Sequence, residues 1–422
     1  MLTIIFSVQV NVSVSLPIDV VNNNGTLKDM YQLNAQLKRL SYANVHGIQV
    51  DMHWSLVERV SQEYDFSAYQ EIVEMARFFN LKVTANLCFH SIPQWALDVA
   101  RQNSFLFKDQ NGFQSEEYLS FTSDLLNQFP DQRSPIQIYS QFMSAFRSKF
   151  ISFINDGIIQ TVQIGLGPNG ELRFPSTPNQ KWKYPGIGMF QASDWRMLEQ
   201  FRKEAYDAGY DYKFPPTNAG TYNSTPNDSL FFSQSYKSTF GDFFMKFYQN
   251  QLISHAKRVI SEAQAIFNVK PFVKLAAKLP FTHQWYNDDS HAAEFTSGYY
   301  NYLGKGEDSY QKIIEEVFQD IQICVSGWEM QNSDTIKDNC KSNPEELTNQ
   351  LIEAIRIYAG IIIGSNEHDV NKTSQYDQIL NNLRNSRGNS QEFVFNRLSQ
   401  ELLSNSDLFS MFQDFVNKAA KI

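Results

Sequence analysis

Eight short runs rich in Val, Ile and Leu recur along the chain with helix-like stretches between them, and this alternation constrains the fold more than any other feature. It predicts strands over 8–16, 47–51, 81–88, 158–166, 272–278, 321–325, 357–364 and 392–395. Apolar residues at helical intervals predict helices over 27–40, 69–79, 139–154, 243–267, 310–317, 344–355, 376–383 and 408–420. Strands joined by crossover helices pair in parallel, and eight of them close an α/β barrel of the (β/α)8 type. At 422 residues the expectation is a single enlarged TIM barrel, one domain over 1–422, with long loops at the C-terminal rim. The two longest connections, 90–135 and 165–240, are rich in Pro, Gly, Asn and aromatics. Loops of that length are generally functional, and in this fold chemistry sits just after the strands.

Composition narrows the function classes. Hydrophobic residues make up 42% of the chain, with 34 Phe and 20 Tyr, which supplies a core and excludes disorder. The net charge of -9 and the lack of a Lys/Arg cluster argue against a nucleic acid or an acidic membrane face as partner. Cys88, Cys324 and Cys340 form no CxxC pair and no spacing that would hold zinc, and they exclude a disulfide framework. HExxH, a Walker glycine loop, a dinucleotide fingerprint and an EF-hand series are all missing, so no metal or cofactor is expected. The N-terminal stretch lacks a basic region and reads as a first strand, and no run of about 18 apolar residues occurs. A cytoplasmic protein is expected.

Polar residues cluster where the predicted strands end. Asp51 closes GIQVD ahead of Met52, His53 and Trp54. Read blandly, that is a capping Asp beside a packed Trp; a sugar site uses the same residue types, a carboxylate for paired hydroxyls and an aromatic face for the ring. His90 ends NLCFH, and Trp95 beyond it either lines a pocket or fills space beneath a helix. GLGPNGELRFPS, from Gly165, is a glycine-rich turn that delivers Glu171 and Arg173 with little freedom. Elsewhere such a pair is a rim ion pair; after a barrel strand the carboxylate reads as catalytic. KLPFTHQWY presents Lys278 and His283, CVSGWEMQNSD presents Ser326 and Glu329, IIIGSNEHD presents Ser365, Asn366 and Glu367, and FVFNRLS presents Arg397. For Lys278 the alternative is a surface Lys over an aromatic cluster, and for either Glu a solvated loop position.

At GLGPNGELRFPS the sequence resembles the β-amylase family, inverting exo-hydrolases that release β-maltose from the non-reducing ends of α-1,4-glucans. SLPIDVVN, GIQVDMHWSLVE, IPQWALD, YPGIGMFQ, HAAEFTSGYYN and NRLSQELL extend the likeness over nearly the whole chain. The resemblance implies the same enlarged barrel and an α-1,4-glucan or maltooligosaccharide as partner. It implies Glu171 as the general acid, Asp51, His90, Lys278, His283, Asn366 and Arg397 as sugar-binding or supporting residues, and Ser326 where the family carries a product-holding Thr.

Two departures stand out. An inverting glycosidase needs a second carboxylate roughly 6.5 to 9.5 Å from the acid to activate water. The family places it in a Gly-Glu-Asn motif, where this chain reads Gly364, Ser365, Asn366. Ser365 cannot accept a proton at neutral pH, which leaves Glu367, two residues on, as the candidate base. The family's glycine-rich lid is also missing, because His90 runs directly into Ser91, Ile92 and Pro93. The leading expectation is a β-amylase-like glycoside hydrolase acting through Glu171 and Glu367; the alternative is a catalytically silent relative that binds maltose or glucan as a sensor or granule component.

Overall fold

The computed structural model describes residues 9–300, 309–358, 360–386 and 388–422. Val8, at the start of the expected first strand, and Asn301, at the end of HAAEFTSGYYN, lie outside them. The described residues form ten strands: β1 (Asn11–Ser15), β2 (Gly47–His53), β3 (Lys82–Cys88), β4 (Leu106–Lys108), β5 (Gln114–Leu119), β6 (Ile159–Ile164), β7 (Lys274–Lys278), β8 (Gln322–Val325), β9 (Ile362–Ser365) and β10 (Ser390–Phe395). Eight of them close a barrel in the order β1-β10-β9-β8-β7-β6-β3-β2, and every barrel pair is parallel. The barrel strands are the eight expected from the sequence.

Parallel pairing needs both faces covered, and the strands supply it: β3 is buried at six of its seven positions and β8 at all four. The helices that cover them start at chemical stops. Asp29 accepts a hydrogen bond from the Gln32 backbone at the first helix (Met30–Tyr42). Ser134 and Gln137 form a capping box with Pro135 at the first turn of Pro135–Asn155. Parallel strands all end at one rim, so Asp51, His90, Glu171, Lys278, Ser326, Ser365 and Arg397 gather there.

Some expectations shift. The seventh barrel strand begins at Ile362, because the helix Pro344–Tyr358 continues through Ile357. An apolar run that short fits either period, and packing of Leu347, Leu351 and Ile355 decides it. The connection 90–135 carries a helix (Gln94–Asn103) and the antiparallel hairpin β4–β5, and 165–240 carries the helix Trp195–Asp207. Among the described residues no helix is long and apolar enough to cross a membrane.

Candidate active site

The turn after β6 is shaped by its glycines. A Cβ on Gly167 would lie 2.4 Å from the Glu171 carbonyl oxygen and 2.7 Å from that of Arg173. Gly170 adopts φ +76, in the left-handed region that glycine tolerates without strain. The chain then pairs Glu171 with Lys278 in a bridge to β7, and the Leu172 N–H donates to the Lys278 carbonyl at 2.9 Å. Tyr299 locks the same turn by donating its hydroxyl to the Leu172 carbonyl at 2.6 Å.

Both oxygens of Glu171 face cations. Lys278 Nζ is 3.0 Å from Oε1, and Arg173 Nε donates to Oε2 at 2.9 Å. Burial pushes the Glu171 carboxyl up, yet Lys278 and Arg173 together outweigh it and hold the group below its ordinary value. Lys278 shows the converse: burial disfavours its charge, while Glu171 and then Glu367 hold it above the usual ammonium value. Lys278 is thus a half-buried partner of a carboxylate, not a surface residue.

Glu171 opens onto a cavity of about 460 Å³ whose lining includes Arg173, His283 and Glu367 along with the aromatic faces of Trp182, Tyr184 and Phe281. His283 hydrogen-bonds Ser342 through Nδ1 at 2.7 Å, and burial, aided by the charge of His368, pushes it down to about 4. Glu367 and Glu329 separate sharply. Glu367 is exposed, whereas Glu329 is buried beneath it. The Glu329 carboxylate accepts from the backbone N–H of Glu367 at 3.0 Å and of His368 at 2.7 Å. Burial pushes Glu329 up to about 7, against those backbone donors and with a small addition from the Glu367 charge.

A second group adjoins the first across the rim. Asp51 accepts from Asn86 at 2.8 Å and from Arg397 at 2.8 Å. Burial would raise its carboxyl, but Arg397 and Asn86 hold it below the ordinary value. Burial pushes His90 down to about 4, and its ring also feels the charges of His53, Asp51, Glu171 and Lys278. Asn366 ties β9 to β10, accepting from the Asn396 N–H at 2.8 Å and donating to the Asn396 and His368 carbonyls. Ser365 is buried, its hydroxyl donating to the Val325 carbonyl at 3.4 Å and lying 3.3 Å from the buried Ser326 hydroxyl.

The structure thus brings Glu171, His283 and Glu367 around one cavity, backs Glu171 with Lys278, and sets Asp51, His90 and Arg397 beside it. Trp54 and Trp95 are packing residues, bonded to Glu58 through their indole N–H groups. Trp182, Met330 and His368 on the cavity wall were not singled out from the sequence; the aromatic richness of 165–240 was the available signal for the first.

Comparison with known proteins places this fold in a family. The model of glycosyl hydrolase family 14 matches residues 13–421. A beta-amylase of Medicago sativa is 34% identical over 435 residues, covering 97% of this chain and 86% of that protein. Beta-amylase 5 of Arabidopsis thaliana is also 34% identical, with 97% and 86% covered. The crystal structure of the catalytic domain of beta-amylase from Paenibacillus polymyxa superposes with a TM-score of 0.80 at 22% identity, covering 98% of this chain and 99% of that one, a likeness of fold.

Proposed function

Since the chain belongs to glycosyl hydrolase family 14, we propose that it releases β-maltose from the non-reducing ends of α-1,4-glucans with inversion at the anomeric carbon. Glu171 protonates the leaving glycosidic oxygen, and Glu367 takes a proton from the water that attacks the opposite face of the ring. The observation that carries this reading is that Glu171 and Glu367 line one cavity whose aromatic walls suit the apolar faces of sugar rings. Lys278 feels both carboxylates and so serves as the charge between acid and base. Asp51, His90, His283, Ser326, Asn366 and Arg397 would then hold sugar hydroxyls or the residues that do. Glu171 must carry a proton to act, and its two cations oppose that, so turnover favours acidic solution.

A second reading, glucan binding without turnover, is favoured by Ser365. A hydroxyl stands where the resemblance calls for a base, and loss of a positioned base costs about 10²- to 10⁴-fold in rate. Anomer-resolved NMR of maltoheptaose digestion separates the two. Fresh β-maltose from the wild type that disappears in both Glu171→Gln and Glu367→Gln supports hydrolysis with Glu367 as base. A wild type that binds maltoheptaose without cleaving it, beside a Ser365→Glu variant that releases β-maltose, supports the binding reading.

A further inference from the structure

Parallel pairing of β2 with β3 sets His53 directly beside Cys88, and His90 follows two residues on, in the turn that ends β3. One ligand atom from each of these three side chains lies within 4.8 Å of the other two, a grouping of His, Cys, Asp or Glu not found elsewhere among the described residues. The two imidazoles meet edge to face, with ring centroids 6.3 Å apart at 83°. His53 Nε2 and His90 Nδ1 are both closed off from solvent and have no hydrogen-bond partner. The Cys88 thiol is buried and free, and its nearest acceptor is the Asn86 carbonyl at 3.5 Å.

A protein core rarely leaves two neighbouring ring nitrogens unpaired, because burying a polar atom without a partner is costly. With the thiol, one nitrogen from each ring gives a donor set of two nitrogens and one sulfur, which suits a borderline-soft cation and not calcium or magnesium. We propose that His53, Cys88 and His90 form a binding site for a divalent cation of the zinc class. Asp51 is not among its ligands, since both its oxygens are taken by Asn86 and Arg397. Three protein donors leave a fourth coordination position, and both imidazoles are half-buried at the rim. Binding forms a sulfur–metal bond and releases the Cys88 thiol proton to solvent, with no change of oxidation state. The site shares His90 with the sugar-binding set proposed above, but cobalt uptake is read without any glycoside hydrolysis, so the two readings fail separately.

The test uses the full chain, stripped with chelator and titrated with cobalt(II). The wild type is expected to take up one equivalent, with a thiolate-to-cobalt charge-transfer band in the near ultraviolet that zinc(II) removes. Cys88→Ser should abolish the band, whereas Cys324→Ser and Cys340→Ser should retain it. His53→Gln keeps the thiol and should weaken cobalt binding by more than about 10-fold, the low end of what even an outer partner of a ligand contributes. Thermal melting of each variant without metal establishes that it is folded. A wild type with no thiolate band, a band that survives Cys88→Ser, or a folded His53→Gln with unchanged cobalt affinity would overturn the assignment.

Discussion

Replacing Glu329 by Gln tests the pocket's electrostatics through folding stability. The Glu329 carboxylate is 1% exposed and lies under the loop that carries Glu367. Burial raises it from 4.5 to about 7. A carboxyl whose folded pKa lies above its unfolded value keeps a proton that the unfolded chain has already lost. Stability therefore falls as pH rises from about 4.5 to about 7 and levels off beyond. That span, at about 1.4 kcal/mol per unit, sets a ceiling of about 3.5 kcal/mol on the change. The amide of the Glu329→Gln variant cannot ionise; its oxygen still accepts from the loop N–H groups, while its NH₂ meets donors, a loss of about 1 kcal/mol. Glu329→Gln should thus be slightly less stable than wild type at pH 5, should gain on it up to about pH 7 and should hold that gain at pH 8. Urea unfolding at pH 5, 6, 7 and 8 gives the wild-type-minus-variant difference, in which every other titrating group cancels. A difference that stays flat across that range would refute the assignment of a raised carboxyl to this site.

Three further outcomes follow from the rim geometry. Lys278→Gln removes the cation 3.0 Å from Glu171, so the Glu171 carboxyl rises and the limb of kcat/KM that reports its protonated form should move to higher pH; a limb that moves down or stays put contradicts the pairing. Gly167→Ala forces a Cβ against two backbone oxygens. It should cost about 1–3 kcal/mol in urea unfolding and, by displacing Glu171, lower maltose release about 10²-fold. Arg397→Met strips Asp51 of its cation and should cost less than about 3 kcal/mol, since Arg397 is a third exposed. Maltose affinity by calorimetry should fall with it, and unchanged affinity would remove Arg397 from the proposed sugar site.

The barrel was legible because strands buried on both faces leave near-continuous apolar runs, such as KVTANLC in β3 and QICV in β8. The β4–β5 hairpin was not, since QSEEYL exposes alternate residues and reads as polar loop. Its turn was nonetheless written in the sequence: Asp109 accepts from the N–H groups of Asn111 and Phe113, and Gly112 sits at φ +90, an Asp-Gln-Asn-Gly signal that a turn-first reading finds. Likewise Asp194 caps the helix at Trp195–Asp207 by accepting from Met197, a start signal hidden inside a stretch read as loop.

The site divides along the same physical line. Which carboxylates stand after strands follows from chain order, so Asp51, Glu171 and Glu367 could be named. Which of two similar loop glutamates is buried does not, because Glu329 is enclosed by a loop from the next strand, not by its own neighbours in sequence. The His53, Cys88 and His90 grouping escaped for a related reason. Ligand spacing is legible when the donors share a helix or a turn, but here one donor is set by the register of β2 on β3, and a shift of one residue would turn His53 to the other face.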